Sequence, residues 1–336
     1  MNITDKFSRK LRDVRISVTD RCNFRCSYCM PKDIYDSNYK FFKKTEILSF
    51  EEIIRLTKIL ADLGVKKVRL TGGEPLLRKN IHVLISHIKN IKGIADISMT
   101  TNGVLLSEKK AFLLKESGLN RLTVSLDSLD KGRFREISGS NYVPDDVLTG
   151  IENAKKAGFH NIKINMVVKK NVNNQDIIPM LENFYGSDCI VRFIEFMDVG
   201  NVNFWNKNEV ISLENILSVI SKKYNIKSLK KNYTSEVAKR WSFSGGEFGV
   251  ISSISNPFCG DCSRIRLTAE GKLFTCLFAE KSHDIKSLIR SSKSDVEIKN
   301  YLTSMWSARD DRYSETRTSS MDSKIIKKAE MSYIGG

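Results

Sequence analysis

The feature of this 336-residue sequence that most restricts its fold is a unit repeated between residues 14 and 196: an amphipathic helix, a glycine, then a run rich in β-formers. Glycines at 64, 93, 118, 158 and 186 punctuate the repeat. Each reads as a helix C-cap, because glycine enters the left-handed region without a Cβ penalty. The β-rich runs are Val14 to Val18, Lys67 to Leu70, Ala95 to Met99, Arg121 to Leu126, Ile162 to Val168 and Ile190 to Phe196, six in all. The helix after the first run has a capping box at Ser49 and Glu52 and an apolar stripe at Ile53, Leu56, Leu60 and Leu63. Helices alternating with strands over short joints imply a parallel sheet with right-handed crossovers.

In such sheets and barrels ligands bind at the C-terminal ends of the strands, and those ends are unusually polar here. The second strand leads to Thr71-Gly72-Gly73-Glu74-Pro75, the third to Thr100-Thr101-Asn102-Gly103, the fourth to Asp127-Ser128, and the sixth ends Glu195-Phe196-Met197-Asp198. Strand five carries Lys163 and Asn165 among its apolar residues. After the first strand come Cys22, Cys26 and Cys29, three thiols within eight residues. Structural zinc wants four protein ligands. An iron-sulfur cubane can be held by three thiolates, with one iron left open. A zinc knuckle or three unrelated core thiols are the blander alternatives. The spacing C-x3-C-x2-C, followed after a helix by Gly72-Gly73-Glu74, resembles the radical S-adenosylmethionine enzymes. In that superfamily the open iron chelates the amino and carboxylate groups of S-adenosylmethionine, and an electron from the cluster yields a 5′-deoxyadenosyl radical.

Composition bounds the setting. Seven cysteines and a start without an apolar run point to a reducing, cytoplasmic compartment and to metal-bound or free thiols. No apolar stretch approaches the roughly 18 residues of a membrane span. A formal charge of +16 suggests an anionic partner, for which nucleic acid, a nucleotide or an anionic membrane would each serve. Much of the excess, such as Lys109, Lys110, Lys155, Lys156, Lys222 and Lys223, also fits solvated helix faces. His82, His87, His160 and His283 lack the mutual spacing of ligands and read as structural.

Near residue 200 the repeat stops. A helix over Leu213 to Tyr224 and β-like runs over Trp241 to Ser253 lead to Cys259-Gly-Asp-Cys262 and, after thirteen residues, Cys276. Between them lies a hairpin pattern, Arg264 to Thr268, a turn at Ala269-Glu270-Gly271, and Lys272 to Cys276. Alternation puts Arg264 and Arg266 on one face and Ile265 and Leu267 on the other. Two guanidiniums beside a metal site suit phosphate, which arginine grips bidentately. This second cysteine set is again three. Cys189 either completes a zinc site or is a small buried residue of the sixth strand, and a second iron-sulfur cluster is the other reading. A helix around Val296 to Ser307 precedes a polar tail ending Gly335-Gly336. Such a tail is either disordered, a conjugation or thiocarboxylate end, or a segment thin enough to enter a narrow site.

Taken together, the two cysteine sets, Arg69-Leu-Thr-Gly-Gly-Glu-Pro-Leu-Leu-Arg78, Thr100-Thr-Asn-Gly103, Ser125-Leu-Asp127, Arg192-Phe-Ile-Glu-Phe-Met-Asp-Val-Gly200, Arg264-Ile-Arg266 and the final Gly-Gly resemble the GTP 3′,8-cyclase family, that of molybdenum cofactor biosynthesis protein A. The match runs from about residue 8 to residue 336. It implies an α/β fold, an incomplete (β/α)6 TIM-like barrel of parallel strands over residues 1–200. Residues 201–325 would form an α+β region with the second cluster and the GTP site, and 326–336 a Gly-Gly tail. It further implies two 4Fe-4S clusters, on Cys22, Cys26 and Cys29 and on Cys259, Cys262 and Cys276. Tyr28, Gly73, Glu74, Ser125 and Met197 would contact S-adenosylmethionine. Arg15, Arg69, Thr100, Lys163, Arg264, Ile265 and Arg266 would hold GTP, with Arg264, Arg266, Gly335 and Gly336 assisting catalysis. The radical would take the hydrogen from C3′ of GTP, and C3′ would join C8 to give 3′,8-cyclo-7,8-dihydro-GTP. The implied partners are a flavodoxin- or ferredoxin-type reductant, cyclic pyranopterin monophosphate synthase as the next enzyme and a second copy in a homodimer, with neither nucleic acid nor membrane. The segment Lys32 to Thr45 departs from the family pattern in being poor in Gly and Pro. A peptide-modifying two-cluster enzyme and a basic zinc protein that binds nucleic acid are the rival readings.

Overall fold

The computed structural model describes residues 3–317 and 328–335. Strands β1 (Asp13–Ser17), β2 (Lys67–Thr71), β3 (Asp96–Thr101), β4 (Arg121–Ser125), β5 (Ile162–Val168) and β6 (Cys189–Glu195) lie side by side in chain order, all parallel. They match the six expected runs to within two residues. Helices α1 (Phe50–Asp62), α2 (Ile81–Lys89), α3 (Glu108–Glu116), α4 (Lys131–Ser138), α5 (Pro144–Lys156) and α6 (Ile177–Asn183) make the crossovers. The α1 capping box is formed, with Ser49 Oγ accepting from Glu52 N and Glu52 Oε2 from Ser49 N. All five punctuating glycines have φ between +66° and +111°.

The second half continues with α7 (Leu213–Ser221), β7 (Lys227–Leu229), β8 (Lys239–Phe243), β9 (Gly246–Ile251), β10 (Arg264–Leu267), β11 (Lys272–Phe274) and β12 (His283–Asp284). Helices α8 (Ile285–Arg290), α9 (Asp295–Ser307), α10 (Tyr313–Thr316) and α11 (Met331–Ile334) follow. The expected hairpin is β10 and β11, antiparallel with Arg266 opposite Phe274. These strands do not form a sheet of their own. They extend the barrel at both edges, in the order β12-β11-β10-β1-β2-β3-β4-β5-β6-β9-β8-β7. Because β10 pairs parallel to β1 and β9 parallel to β6, eight neighbouring strands are parallel. Residues 252–263 therefore cross from one edge of the open barrel to the other.

Strand alternation divides the two faces of this sheet. Val14, Ile16, Val68, Leu70, Ile97, Leu122, Val124, Ile164, Val191 and Phe193 point outward and are buried against the helices with Ile53, Leu56, Leu84 and Ile151. Each such side chain contributes about 1.5–3 kcal/mol of burial. A parallel sheet covered on both sides normally reads as continuous apolar runs. Here the inward positions are Arg15, Arg69, Ser98, Thr123, Lys163 and Asn165, so the barrel interior cannot close as a dry core and remains a cavity. Among the described residues, no helix is long and apolar enough to cross a membrane.

Candidate functional site

The cavity, about 720 Å³, runs through the barrel, and all six expected cysteine ligands line it. At one end is the Cys22 to Cys29 loop, held through the backbone by the loop after β2 and the end of α4. Gly73 N donates to Thr19 O and Glu74 N to Arg21 O, each at 2.8 Å, while Arg25 N donates to Ser138 O at 2.8 Å. This approach explains the paired glycines. A Cβ on Gly72 would lie 2.5 Å from Thr19 O, and one on Gly73 2.2 Å from Arg21 O.

Two carboxylates brace the same end. Buried Glu74 accepts from Leu76 N and Thr101 Oγ1 on one oxygen and from Asn102 N on the other, tying the loop after β2 to the loop after β3. Asp127 accepts from Tyr28 Oη at 2.7 Å and from Val167 N at 2.8 Å. Burial raises both carboxyls to about 6, against the hydrogen bonds that favour their ionised forms. Burial, and then Glu74, pushes the Cys22 thiol up to about 11; burial, and then Asp127, raises Cys26. Gly73, Tyr28, Ser125 and Met197 share this part of the wall with Met331 of α11.

Across the middle lies a row of arginines. Arg266 of β10, Arg15 of β1 and Arg69 of β2 are register partners, and the row continues through Ser98 to Arg121. Like charges directly opposite one another on a sheet repel. Arg15 is accordingly lowered well below its ordinary value, first by burial and then by Arg266, Arg69 and Arg264. Burial and Arg264 bring Arg266 to about 10, and burial and Arg69 bring Arg192 to about 9. Arg121 pairs with Asp96. Arg192 Nε donates to Asn165 at 3.0 Å. Lys163, brought down to about 8 by burial and then by Arg192 and Arg121, donates to Asn161 O. Thr100 Oγ1 is buried and has no partner among the described residues. Such a row is stable around a polyanion, which takes guanidinium bonds in bidentate fashion.

The second cysteine set closes the open side of the barrel. Glu195, at the end of β6, accepts from Ile254 N at 2.8 Å and Ser255 N at 2.9 Å, anchoring the 252–263 crossover that carries Cys259 and Cys262. Cys276 follows β11. Arg264 Nη2 lies 3.8 Å from Cys262 Sγ, in hydrogen-bonding geometry. Burial opposes ionisation of Cys262, but Arg264 and Arg309 outweigh it and bring the thiol to about 6. Burial, and then Asp311, lifts Cys276 to about 12. All seven cysteines are free thiols. Soft thiolates in threes fit an iron-sulfur cluster. Among the described residues no three Cys, His, Asp or Glu are placed to hold a single metal ion. Thiolates that each hold a different iron of a cubane stand farther apart than thiolates sharing one ion. Cys189 is buried in the barrel core and belongs to neither set.

The Ile265 side chain is fully buried in the core on the outward face, so only its backbone can serve the cavity. Gly335, at φ +71°, accepts from Arg266 Nη1 at 2.6 Å, and a Cβ there would lie 2.5 Å from Thr71 Cγ2. Gly336 lies outside the described residues. The tail is seated by side chains on every side. Lys328 Nζ binds Asp198, Glu330 accepts from Asn201 N, Ser332 meets Tyr35 Oη at 2.8 Å, and Ile334 is fully buried. Tyr35 and Phe42, whose ring faces that of Tyr333, belong to the 32–45 segment that departs from the family pattern. Arg121, Arg192 and Asp127, not expected at the site from the sequence, also line the cavity. Arg192 shares inward parity with its register partner Asn165, and that period of two was the available signal.

Residues 16–184 match the family model described as Radical SAM superfamily, and residues 189–315 match Molybdenum Cofactor Synthesis C. Proteins from Staphylococcus haemolyticus and Staphylococcus epidermidis named GTP 3′,8-cyclase are 46% and 47% identical over 338 residues, 99% of this chain and 99% of theirs. One from Staphylococcus aureus is 45% identical with the same coverage. The crystal structure of Streptococcus suis SuiB bound to S-adenosylmethionine superposes with a TM-score of 0.64 at 15% identity, covering 95% of this chain and 70% of that one, a likeness of fold. The chain therefore belongs to the GTP 3′,8-cyclase family of the radical S-adenosylmethionine superfamily.

Proposed function

We propose that this protein is a lyase that converts GTP into 3′,8-cyclo-7,8-dihydro-GTP in the first step of molybdenum cofactor biosynthesis, joining C3′ of the ribose to C8 of the base. The observation that carries this reading is the arginine row, Arg266, Arg15 and Arg69, lying in one cavity between two sets of three free thiols. Cys22, Cys26 and Cys29 would hold one 4Fe-4S cluster, and Cys259, Cys262 and Cys276 the other. When bound, the first cluster and S-adenosylmethionine supply a 5′-deoxyadenosyl radical able to take hydrogen from carbon, and the second cluster supplies an iron with a free coordination position.

The chain's own residues bind, orient and exclude water. Tyr28, Gly73, Glu74, Ser125 and Met197 form the wall for S-adenosylmethionine, with Glu74 acting through the two loops it ties together. Arg15, Arg69, Lys163 and the unpartnered Thr100 hydroxyl face GTP. Arg264 stands next to Cys262, and Arg266 has one nitrogen fixed on the Gly335 carbonyl, leaving its other donors for substrate. Holding C3′ and C8 in near-attack geometry in a closed site is what such a reaction requires of the protein. The tail and the 32–45 segment close the end beside the first cysteine loop.

The division into a barrel over 1–200, an auxiliary region over 201–325 and a tail over 326–336 follows the same reading. So do a flavodoxin- or ferredoxin-type reductant, hand-over to cyclic pyranopterin monophosphate synthase, a homodimer and a cytoplasmic location. The deciding experiment is anaerobic turnover of the reconstituted protein with dithionite, S-adenosylmethionine and GTP deuterated at C3′. Deuterium in the released 5′-deoxyadenosine is expected. Unlabelled 5′-deoxyadenosine would remove C3′ of GTP as the target and favour a peptide substrate.

A further inference from the structure

Behind the second cysteine set, away from the cavity, lies an ion network that the reaction described above does not use. Arg9 and Arg309 have 2% and 1% of their side chains exposed, and Asp5 has none. Asp5 pairs with Arg9 at 2.6 Å and with Arg309 at 3.4 Å, and Asp311 accepts from Nε and Nη2 along one edge of the Arg309 guanidinium at 2.8–3.1 Å. Trp306 packs under the Arg309 guanidinium, 4.6 Å from ring centre to Cζ, and its indole N–H donates to Arg9 O. Buried ion networks are weak sources of stability, because desolvation offsets the attraction. A role other than stability is therefore the better explanation for this one, in which buried Arg9 Nη2 has no hydrogen-bond partner among the described residues.

Its remaining donors identify that role. Arg9 Nη1 donates to the carbonyl of Cys259 at 3.0 Å, and Arg309 Nη1 to the carbonyl of Cys262 at 2.8 Å. The two guanidiniums thus hold the two cysteine residues of one turn by their backbones. Arg264 approaches Cys262 from the cavity side. Three guanidiniums surround this set, with Asp5 and Asp311 against them. At the first set the proportion is reversed: Glu74 and Asp127 line the cavity beside the thiols, and one guanidinium, that of Arg25, donates to the Cys22 carbonyl at 2.8 Å.

We propose that Arg309 and Arg9 are positioning residues for the second cysteine site, pre-forming the Cys259–Cys262 turn through its carbonyls and holding the cluster bound there at a more oxidising potential than the cluster on Cys22, Cys26 and Cys29. The proposal rests on the two-cluster reading above. Its physical basis is that a thiolate-ligated cluster gains negative charge on reduction, so nearby cations and donors stabilise the reduced form.

The test is an anaerobic redox titration followed by electron paramagnetic resonance, on the full chain reconstituted with iron and sulfide. Wild type is compared with Asp311→Asn, Arg309→Met and Arg309→Lys. Asp311→Asn removes a negative charge and should raise the second midpoint; Arg309→Met should lower it, by about tenfold in the one-electron equilibrium constant or about 59 mV. Arg309→Lys should restore most of the loss, and the first midpoint should stay fixed in all three. A second midpoint unchanged in Asp311→Asn overturns the proposal even where Arg309→Met fails to fold. Shifts of the same sign in the two charge-opposite variants also overturn it. A wild-type chain that takes up iron for one cluster only overturns it together with the two-cluster reading.

Discussion

The two cysteine sets line one cavity but are built in different ways. The first lies on one short loop, which accepts backbone bonds from Gly73 and Glu74 of the loop after β2 and donates from Arg25 and Ser27 to the end of α4. The second joins a crossover to the end of a hairpin, and side chains hold it: Glu195 at one end of the crossover and Arg9 and Arg309 on its cysteines. The electrostatic settings differ as well, carboxylates beside the first and guanidiniums beside the second. A site gripped by backbone depends on small residues at close approaches, whereas a site gripped by side chains depends on ion pairs from distant segments. The two should therefore fail to different substitutions.

The largest effect that tests this separation is loss of a ligand. Cys276→Ala should leave about half the iron and keep S-adenosylmethionine binding, whereas Cys26→Ala should lose about half the iron and that binding with it. Both should abolish cyclisation. Iron analysis with a direct S-adenosylmethionine titration would check it, and loss of both clusters in either variant would show that the sites do not assemble independently.

Gly335→Ala probes the tail between them. Its φ of +71° and the 2.5 Å approach to Thr71 Cγ2 force the chain to shift, which moves the carbonyl off Arg266. A displacement of this kind costs about 100-fold in kcat, measured as product formed per minute with GTP saturating. Activity within twofold of wild type would remove Gly335 from the site.

Glu74→Gln is expected to act on the first set alone. The amide cannot accept at both ends, so one buried donor among Leu76 N, Thr101 Oγ1 and Asn102 N loses its partner, at about 1–3 kcal/mol. Chemical denaturation would register that loss, and S-adenosylmethionine affinity should fall while GTP affinity holds. Equal losses of both ligands would join what the structure separates.

The smallest effect is one of pH. Burial and the neighbouring Arg192 and Arg121 bring Lys163 to about 8, so its positive charge is present below that pH and lost above it. GTP affinity should fall a few-fold, about 1 kcal/mol, between pH 7 and 9. In Lys163→Arg the fall should vanish, because arginine keeps its charge. Isothermal titration at several pH values decides it, and an identical slope in both proteins would place the titrating group elsewhere.

Much of this was legible in the sequence because it is local. Strand limits, the α1 cap and the glycine positions follow from periodicity and backbone freedom, and each was read to within two residues. The contiguous cysteine triplet, the Arg264 to Cys276 hairpin and the burial of Cys189 were readable in the same way. Ile265 shows the limit of a residue list: alternation alone put it on the outward face, where it is found.

The amino-acid sequence alone determined the parallel βα repeat, the two cysteine sets and the arginine pair on β10, since spacing and side-chain parity encode them directly. Tertiary structure decided that β9 and β10 join opposite edges of the barrel, that Arg266, Arg15 and Arg69 fall in one register, that the 32–45 segment seats the tail, and that Arg9 and Arg309 stand behind Cys259 and Cys262. These are contacts between residues up to 297 apart in the chain. No local preference specifies such pairings; they are fixed only when the sheet's edges and the packed core set which strands and loops become neighbours.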